Sequence, residues 1–90
     1  MTDDELARRI AAHLRAELAA KGVERTIEPQ DRLISSGLLS SVDVLGLVAF
    51  LEDELGVEIA AHEIGPDRMD TIDAIVALVR AKREEEGESR

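Results

Sequence analysis

Apolar residues recur every four positions at the start of the chain. Leu6, Ile10, Leu14 and Leu18 form one stripe between charged and small residues. That spacing predicts an amphipathic helix over residues 2–21. Thr2 followed by Glu5 reads as a capping box, each side chain serving the other's orphan backbone N–H. Asp3 and Asp4 suit the positive end of the helix dipole. Gly22 supplies a position that tolerates positive φ just past the last turn. Residues 22–39 then carry no period, and Pro29 blocks a helix there. Ile27, Leu33, Ile34, Leu38 and Leu39 are nevertheless too apolar for a free loop, so they are expected to pin this connection to the core. A structureless connection of such length is uncommon in a small domain and is often functional.

A second helix is predicted from Ser40, with Asp43 three residues on as a weaker capping partner. Val44, Val48, Leu51 and Leu55 form its stripe, Leu47 and Phe50 widen it, and Gly56 ends it. Residues 57–69 contain Gly65 and Pro66 and leave room for one helical turn around Ala61 to Ile64. The last helix is expected over residues 71–82, with Asp70 as N-cap and Ile72, Ile75, Val76 and Val79 facing inward. Residues 84–90 are polar and read as a frayed or disordered tail. With three amphipathic stripes, no strand pattern and no internal repeat, the expected fold is all-α. It is a small bundle of three main helices plus one short one, with a long loop between helices 1 and 2. One domain spans residues 1–83.

Composition narrows the function. The 90 residues include one Phe and neither Trp nor Tyr, so the core must be thin and aliphatic. The net charge of −9 disfavours nucleic acid and anionic membrane surfaces and suits docking on basic partners. There is no cysteine and therefore no disulfide or thiol chemistry of the chain's own. No apolar run approaches membrane-spanning length. The acidic start Met-Thr-Asp-Asp-Glu does not read as a signal peptide, so a cytoplasmic chain is expected. His13 and His62 lack neighbours at metal-ligand spacing and read as partly exposed structural residues. Glu52-Asp53-Glu54 lacks the central Gly and alternating oxygens of a calcium loop. Without a base, metal or cofactor constellation, the chain is not expected to be an enzyme.

Serines carry the remaining signal. Ser35, Ser36, Ser40 and Ser41 flank Gly37-Leu38-Leu39. Each has an ordinary reading as a cap or a loop polar group. Ser41, however, falls in the first turn of the second helix, where its hydroxyl should be exposed. A phosphate placed there would meet free backbone N–H groups and the positive helix end. No base stands ready to activate it, so it suits a group attached by another enzyme better than it suits catalysis.

The ordered set Asp31-Arg32-Leu33-Ile34-Ser35-Ser36-Gly37-Leu38-Leu39-Ser40-Ser41-Val42-Asp43 resembles the attachment region of acyl carrier proteins. Leu47 to Ile59 resembles that family's second helix and its exit. Glu63-Ile64, Pro66-Asp67 and Met69 to Ile75 resemble its third and fourth helices. The resemblance covers residues 3 to 82 and places the family's modified serine at Ser41. It implies a covalent 4′-phosphopantetheine arm donated by coenzyme A, which makes the chain a phosphoprotein carrying an acyl or aminoacyl thioester. The implied partners are a phosphopantetheinyl transferase and an acyl- or aminoacyl-activating ligase or synthase, and the implied state is a monomer. The sequence departs from the family at Ser40, where an Asp is usual, and at Val44, Leu45 and Gly46, where further acids are common. The spelling Gly-Leu-Leu-Ser-Ser is closer to stand-alone carriers served by dedicated ligases. An unmodified helical adaptor is the competing expectation.

The same departures point to a partner-binding surface. The outward side of the second helix is expected to present Asp43, Val44, Leu45, Gly46 and Ala49. Gly46 costs roughly 1 kcal/mol relative to Ala in a helix interior. Tight packing or mere drift would account for it, and so would close approach of a partner's backbone with Val44 and Leu45 as apolar anchors.

Overall fold

Four α-helices and one 3-10 turn carry the chain in a computed structural model that describes residues 1–88. They are α1 (Asp3–Ala20), α2 (Ser41–Leu55), the 3-10 turn (Ala61–Glu63), α3 (Pro66–Met69) and α4 (Ile72–Glu88). There is no strand among the described residues. The expected all-α bundle of three main helices is therefore what the chain forms. The short helical material is divided between the 3-10 turn and α3.

Local chemistry explains the ends of the helices. Thr2 Oγ1 accepts the Glu5 N–H at 3.2 Å, which is one half of the expected capping box. At the other end of α1 the Val23 N–H reaches Leu18 O at 2.9 Å, and the Gly22 N–H reaches Ala19 O at 3.0 Å. With Gly22 at φ 83° this is a Schellman close, in which a residue without Cβ takes the left-handed position. In α2 the capping box is complete, stronger than expected: Asp43 N–H donates to Ser40 Oγ at 3.2 Å, and Ser40 N–H donates to Asp43 Oδ2 at 2.9 Å.

The start of α4 differs from expectation. Thr71 is the cap, its Oγ1 accepting the Ala74 N–H at 3.0 Å. The Asp70 carboxylate is turned away to the long loop. The helix also runs further than expected, so residues 84–88 of the anticipated polar tail are helical; Ser89 and Arg90 lie outside the described residues. Ala81, Lys82, Arg83 and Glu84 to Glu86 are all good helix formers, and no breaker precedes Gly87.

All three stripes meet in one core. Leu6, Ile10, Leu14 and Leu18 from α1, Leu47, Leu51 and Leu55 from α2, and Ile72, Ile75 and Val79 from α4 are buried together. α1 packs on both α4 and α2, and α3 packs on α4. The long loop contributes Ile27, Leu33 and Leu39 as buried pins, with Ile34 and Leu38 half-buried against the same cluster. The loop therefore gains its order from apolar burial, with its backbone polar groups served by turns and by Asp70.

Candidate functional site

The long loop is fastened where α3 meets α4. Asp70 Oδ1 accepts the N–H groups of Ile34 and Ser35, both at 2.8 Å, and Asp70 Oδ2 accepts the Ser35 hydroxyl at 2.6 Å. The Leu33 N–H donates to the Asp70 carbonyl at 2.6 Å. Asp70 is buried, and Arg32 stands 3.7 Å from its carboxylate. The Ser35 hydroxyl, then the Ser35 N–H, hold this carboxyl below its ordinary value; burial opposes them, while the Ile34 N–H and the Arg32 charge assist. The clamp delivers the chain to Ser40 in a defined path.

The clamp and the cap sort the four serines by what their hydroxyls do. Ser35 is bound to Asp70. Ser36 Oγ donates to Arg32 O at 2.5 Å. Ser40 Oγ donates to Asp43 Oδ2 at 3.0 Å while accepting the Asp43 N–H. Ser41 is exposed, and among the described residues its hydroxyl has no hydrogen-bond partner. As first residue of α2 it stands where backbone N–H groups lack intrahelical acceptors.

A groove of about 640 Å³ opens beside Ser41. Ile34 and Leu39 from the loop, Val44 and Leu45 from α2, and Ile64 following the 3-10 turn supply its apolar walls; Gly37 and Gly65 line it as well, and no charged residue does. A cleft of about 690 Å³ at the far end of α2 is lined by Glu52, Glu58, Lys82 and Glu85 among others. Its amine, Lys82, is paired with Glu63 at 2.6 Å. Among the described residues no group of three or more His, Asp or Glu is placed to hold a metal ion.

Behind Ser41, α1 and α2 meet antiparallel along a polar seam of three rungs. The His13 ring stacks on Phe50 with centroids 4.4 Å apart. One turn on, Glu17 lies against Gly46. At the last rung Lys21 donates to Asp43. Burial pushes the Asp43 carboxyl up, but the hydrogen bonds from Lys21 and from the Ser40 N–H and hydroxyl, with the Lys21 charge, outweigh it and hold the group below its ordinary value.

This seam corrects the expected outward face of α2. Asp43 is buried at 7 % exposure and Val44 at 8 %, whereas Leu45 is 61 % exposed and Ala49 is exposed. Gly46 is half-buried, and a Cβ on it would overlap Glu17 Oε1 and stand 3.2 Å from Glu17 Cδ. The close approach at Gly46 is made by the chain's own α1. Val42, at 76 % exposure, is the outward residue that sequence reasoning missed. The signal for it was its placement opposite the Val44–Val48–Leu51 stripe. His62 is exposed, as expected of a surface turn.

Neither a protein-family model nor a curated protein sequence matches the chain. A solved structure does: the crystal structure of an acyl carrier protein from Thermotoga maritima superposes with a TM-score of 0.62 and 25 % sequence identity. The match covers 88 % of this chain and 92 % of that one. The chain has an acyl-carrier-protein-like helical fold. The likeness supports a carrier role in general terms. No described helix is long and apolar enough to cross a membrane.

Proposed function

We propose that the chain is a carrier protein whose Ser41 receives a 4′-phosphopantetheine arm from coenzyme A. The observation that carries this reading is the sorting of the serines: Ser35, Ser36 and Ser40 have committed hydroxyls, and Ser41 is exposed beside an apolar groove. The residues present fit the group. A phosphodiester on Ser41 Oγ would lie at the N-terminus of a 15-residue helix, where the Ser41 and Val42 N–H groups and the helix dipole favour negative charge. When bound, the arm supplies a terminal thiol on which an acyl or aminoacyl group travels as a thioester. The chain's own residues present the hydroxyl, hold the helix start through Ser40, Asp43 and Lys21, and offer an uncharged groove beside it. Among the described residues no base is hydrogen-bonded to the Ser41 hydroxyl, so a partner transferase activates it; its oxygen forms the new bond to phosphorus as adenosine 3′,5′-bisphosphate leaves. An acyl- or aminoacyl-activating ligase or synthase then loads the thiol. Of the sequence-derived partner-binding set, Leu45 is displayed for such enzymes, while Asp43, Val44 and Gly46 support the surface from behind.

Intact mass after incubation with coenzyme A and a broad-specificity phosphopantetheinyl transferase tests the reading. The wild-type chain should gain one arm, and Ser41→Ala should gain none. Ser40→Ala should lose about 0.5–2 kcal/mol of stability as a missing cap does, yet still be modified. An adduct that survives Ser41→Ala would move the site elsewhere; an unmodified wild type would favour the helical adaptor.

A further inference from the structure

Amines and thiols attack thioesters, and a tether makes that attack intramolecular. An acyl group on an arm at Ser41 would meet the nucleophiles of the chain's own surface at an effective concentration on the order of mM. The chain is poor in such nucleophiles. It has no cysteine, and nine of its eleven basic residues are arginine, whose guanidinium does not shed its proton in proteins. Two lysines remain, Lys21 and Lys82. A biased composition would account for that count. It would not account for where the two ammonium groups sit.

Each is seated on a buried carboxylate. Lys21, just past the last turn of α1, donates to Asp43. The Lys21 side chain is otherwise exposed, so this pairing is what restrains it. Lys82 of α4 reaches Glu63 at 2.6 Å. Neither carboxylate is free to follow its lysine into solvent. Asp43 also accepts the Ser40 N–H and hydroxyl, and Glu63 accepts the Ala60 N–H at 2.9 Å. Arginines stand exposed on the elements that line the groove: Arg32 on the loop, and Arg68 on α3, three residues beyond Gly65. The cations displayed there are the ones that cannot attack a thioester. The ones that could are tied down.

Resting on the reading of Ser41 as the modified residue, we infer that Asp43 and Glu63 keep the chain's two lysine amines off its own thioester cargo. The reaction they prevent is S-to-N acyl transfer. In it a lysine ammonium leaves its carboxylate and gives one proton to water. The nitrogen lone pair then adds to the thioester carbonyl. The C–N bond forms, the C–S bond breaks with its electron pair going to sulfur, and the second proton shed by nitrogen goes to the thiolate. The products are an acyl-lysine amide and a free thiol on the arm, and the cargo is lost to partner enzymes. An ammonium hydrogen-bonded to a fixed carboxylate is held back at the first of these steps.

The test loads dilute wild type and variants from acetyl-coenzyme A with a broad-specificity phosphopantetheinyl transferase, then follows the acetyl group at mildly alkaline pH. Hydrolysis removes the acetyl mass. Transfer to lysine keeps the mass, frees a thiol that iodoacetamide alkylates, and leaves an acetyl group that neutral hydroxylamine does not remove; fragmentation locates it. The wild type should lose its acetyl group chiefly by hydrolysis. Asp43→Asn should acetylate Lys21 about tenfold faster than wild type, since a hydrogen bond between charged groups restrains the amine by about that factor. Adding Lys21→Arg to that variant should abolish the product. Glu63→Gln should release Lys82 in the same way. Arg68→Lys leaves every cap intact and should gain acetyl on the introduced amine, which keeps the inference testable if circular dichroism shows a carboxylate variant unfolded. If the wild type acetylates Lys21 as fast as Asp43→Asn does, the inference is overturned and the Ser41 reading stands. The same holds if the released and introduced amines all stay free while hydrolysis proceeds. A wild type that takes no arm removes the Ser41 reading and the inference together.

Discussion

Gly46 stands mid-helix, where replacing glycine by alanine ordinarily stabilises by about 1 kcal/mol. Here the added Cβ meets the carboxylate of Glu17, which is the far end of a flexible side chain. Glu17 can move, but only by leaving its place 3.2 Å from His13 Nε2 in the seam. The two positions should therefore be coupled, as contacting residues are, by about 0.5–3 kcal/mol. Gly46→Ala should stabilise the chain by about 1 kcal/mol in a Glu17→Ala background, and by much less, or not at all, in the wild type. A double-mutant cycle from urea unfolding measures this. Equal effects of Gly46→Ala in both backgrounds would refute the contact. Asp43 is a second residue whose meaning lies in its neighbours: its carboxylate closes the α2 cap and receives Lys21, so one side chain joins the start of α2 to the end of α1.

At the scale of elements, three are fastened by buried carboxylates. Asp43, Glu63 and Asp70 anchor the start of α2, the 3-10 turn and the loop, and all three carboxyls lie below their ordinary values of 3.8 for Asp and 4.5 for Glu. For Glu63 the largest cause is the hydrogen bond from Lys82, followed by the Ala60 N–H. The sign follows from linkage. A carboxyl whose native value is depressed binds fewer protons folded than unfolded, so its stabilisation is complete above the ordinary value. It is lost as pH falls through the native value. The urea midpoint should therefore hold near neutrality and decline below about pH 4.5, where the unfolded chain begins to take up protons. Asp70→Asn should be less stable than wild type near neutrality and lose less between neutrality and pH 3. In the same variant the amides of Ile34 and Ser35 should exchange faster with solvent, because each has lost part of its acceptor. Parallel pH profiles for wild type and Asp70→Asn would show that the clamp contributes nothing to folding.

For the whole molecule, the core is one aliphatic cluster drawn from α1, α2, α4 and the loop, with Met69 of α3 also buried in it. Leu51 is fully buried at its centre, with 0 % exposure. Leu51→Ala should cost about 2–5 kcal/mol, since a site surrounded by three helices cannot collapse onto the missing volume. A small domain has little stability to spare, so this variant should melt far below the wild type. A loss under about 1 kcal/mol would show that Leu51 is not packed as described. The surface proposed to be functional lies outside this core at one end of α2. There the free hydroxyl of Ser41, the uncharged groove and the exposed Val42–Leu45 pair are adjacent, and the acids that dominate the molecule's field are elsewhere.

The periodicity of apolar residues was enough to determine the helical class, the three stripes and their meeting in one core. A helix can bury only one face, and the spacing of Leu6–Ile10–Leu14 and Leu47–Leu51–Leu55 leaves no other face to bury. Local signals were likewise sufficient for the ends of α1 and α2, because caps and left-handed glycines act within a few residues. The resemblance of residues Asp31 to Asp43 to the attachment region of acyl carrier proteins is what singled out Ser41, the residue proposed to be modified. Tertiary structure alone decided what lies across long sequence separations: that Asp70 clamps Ile34 and Ser35, that Lys21 meets Asp43, and that Glu17 explains Gly46. The physical reason is common to all of these. A side chain's hydrogen-bond partner and its exposure depend on which helix packs beside it and at what register, and neither is encoded in the local period.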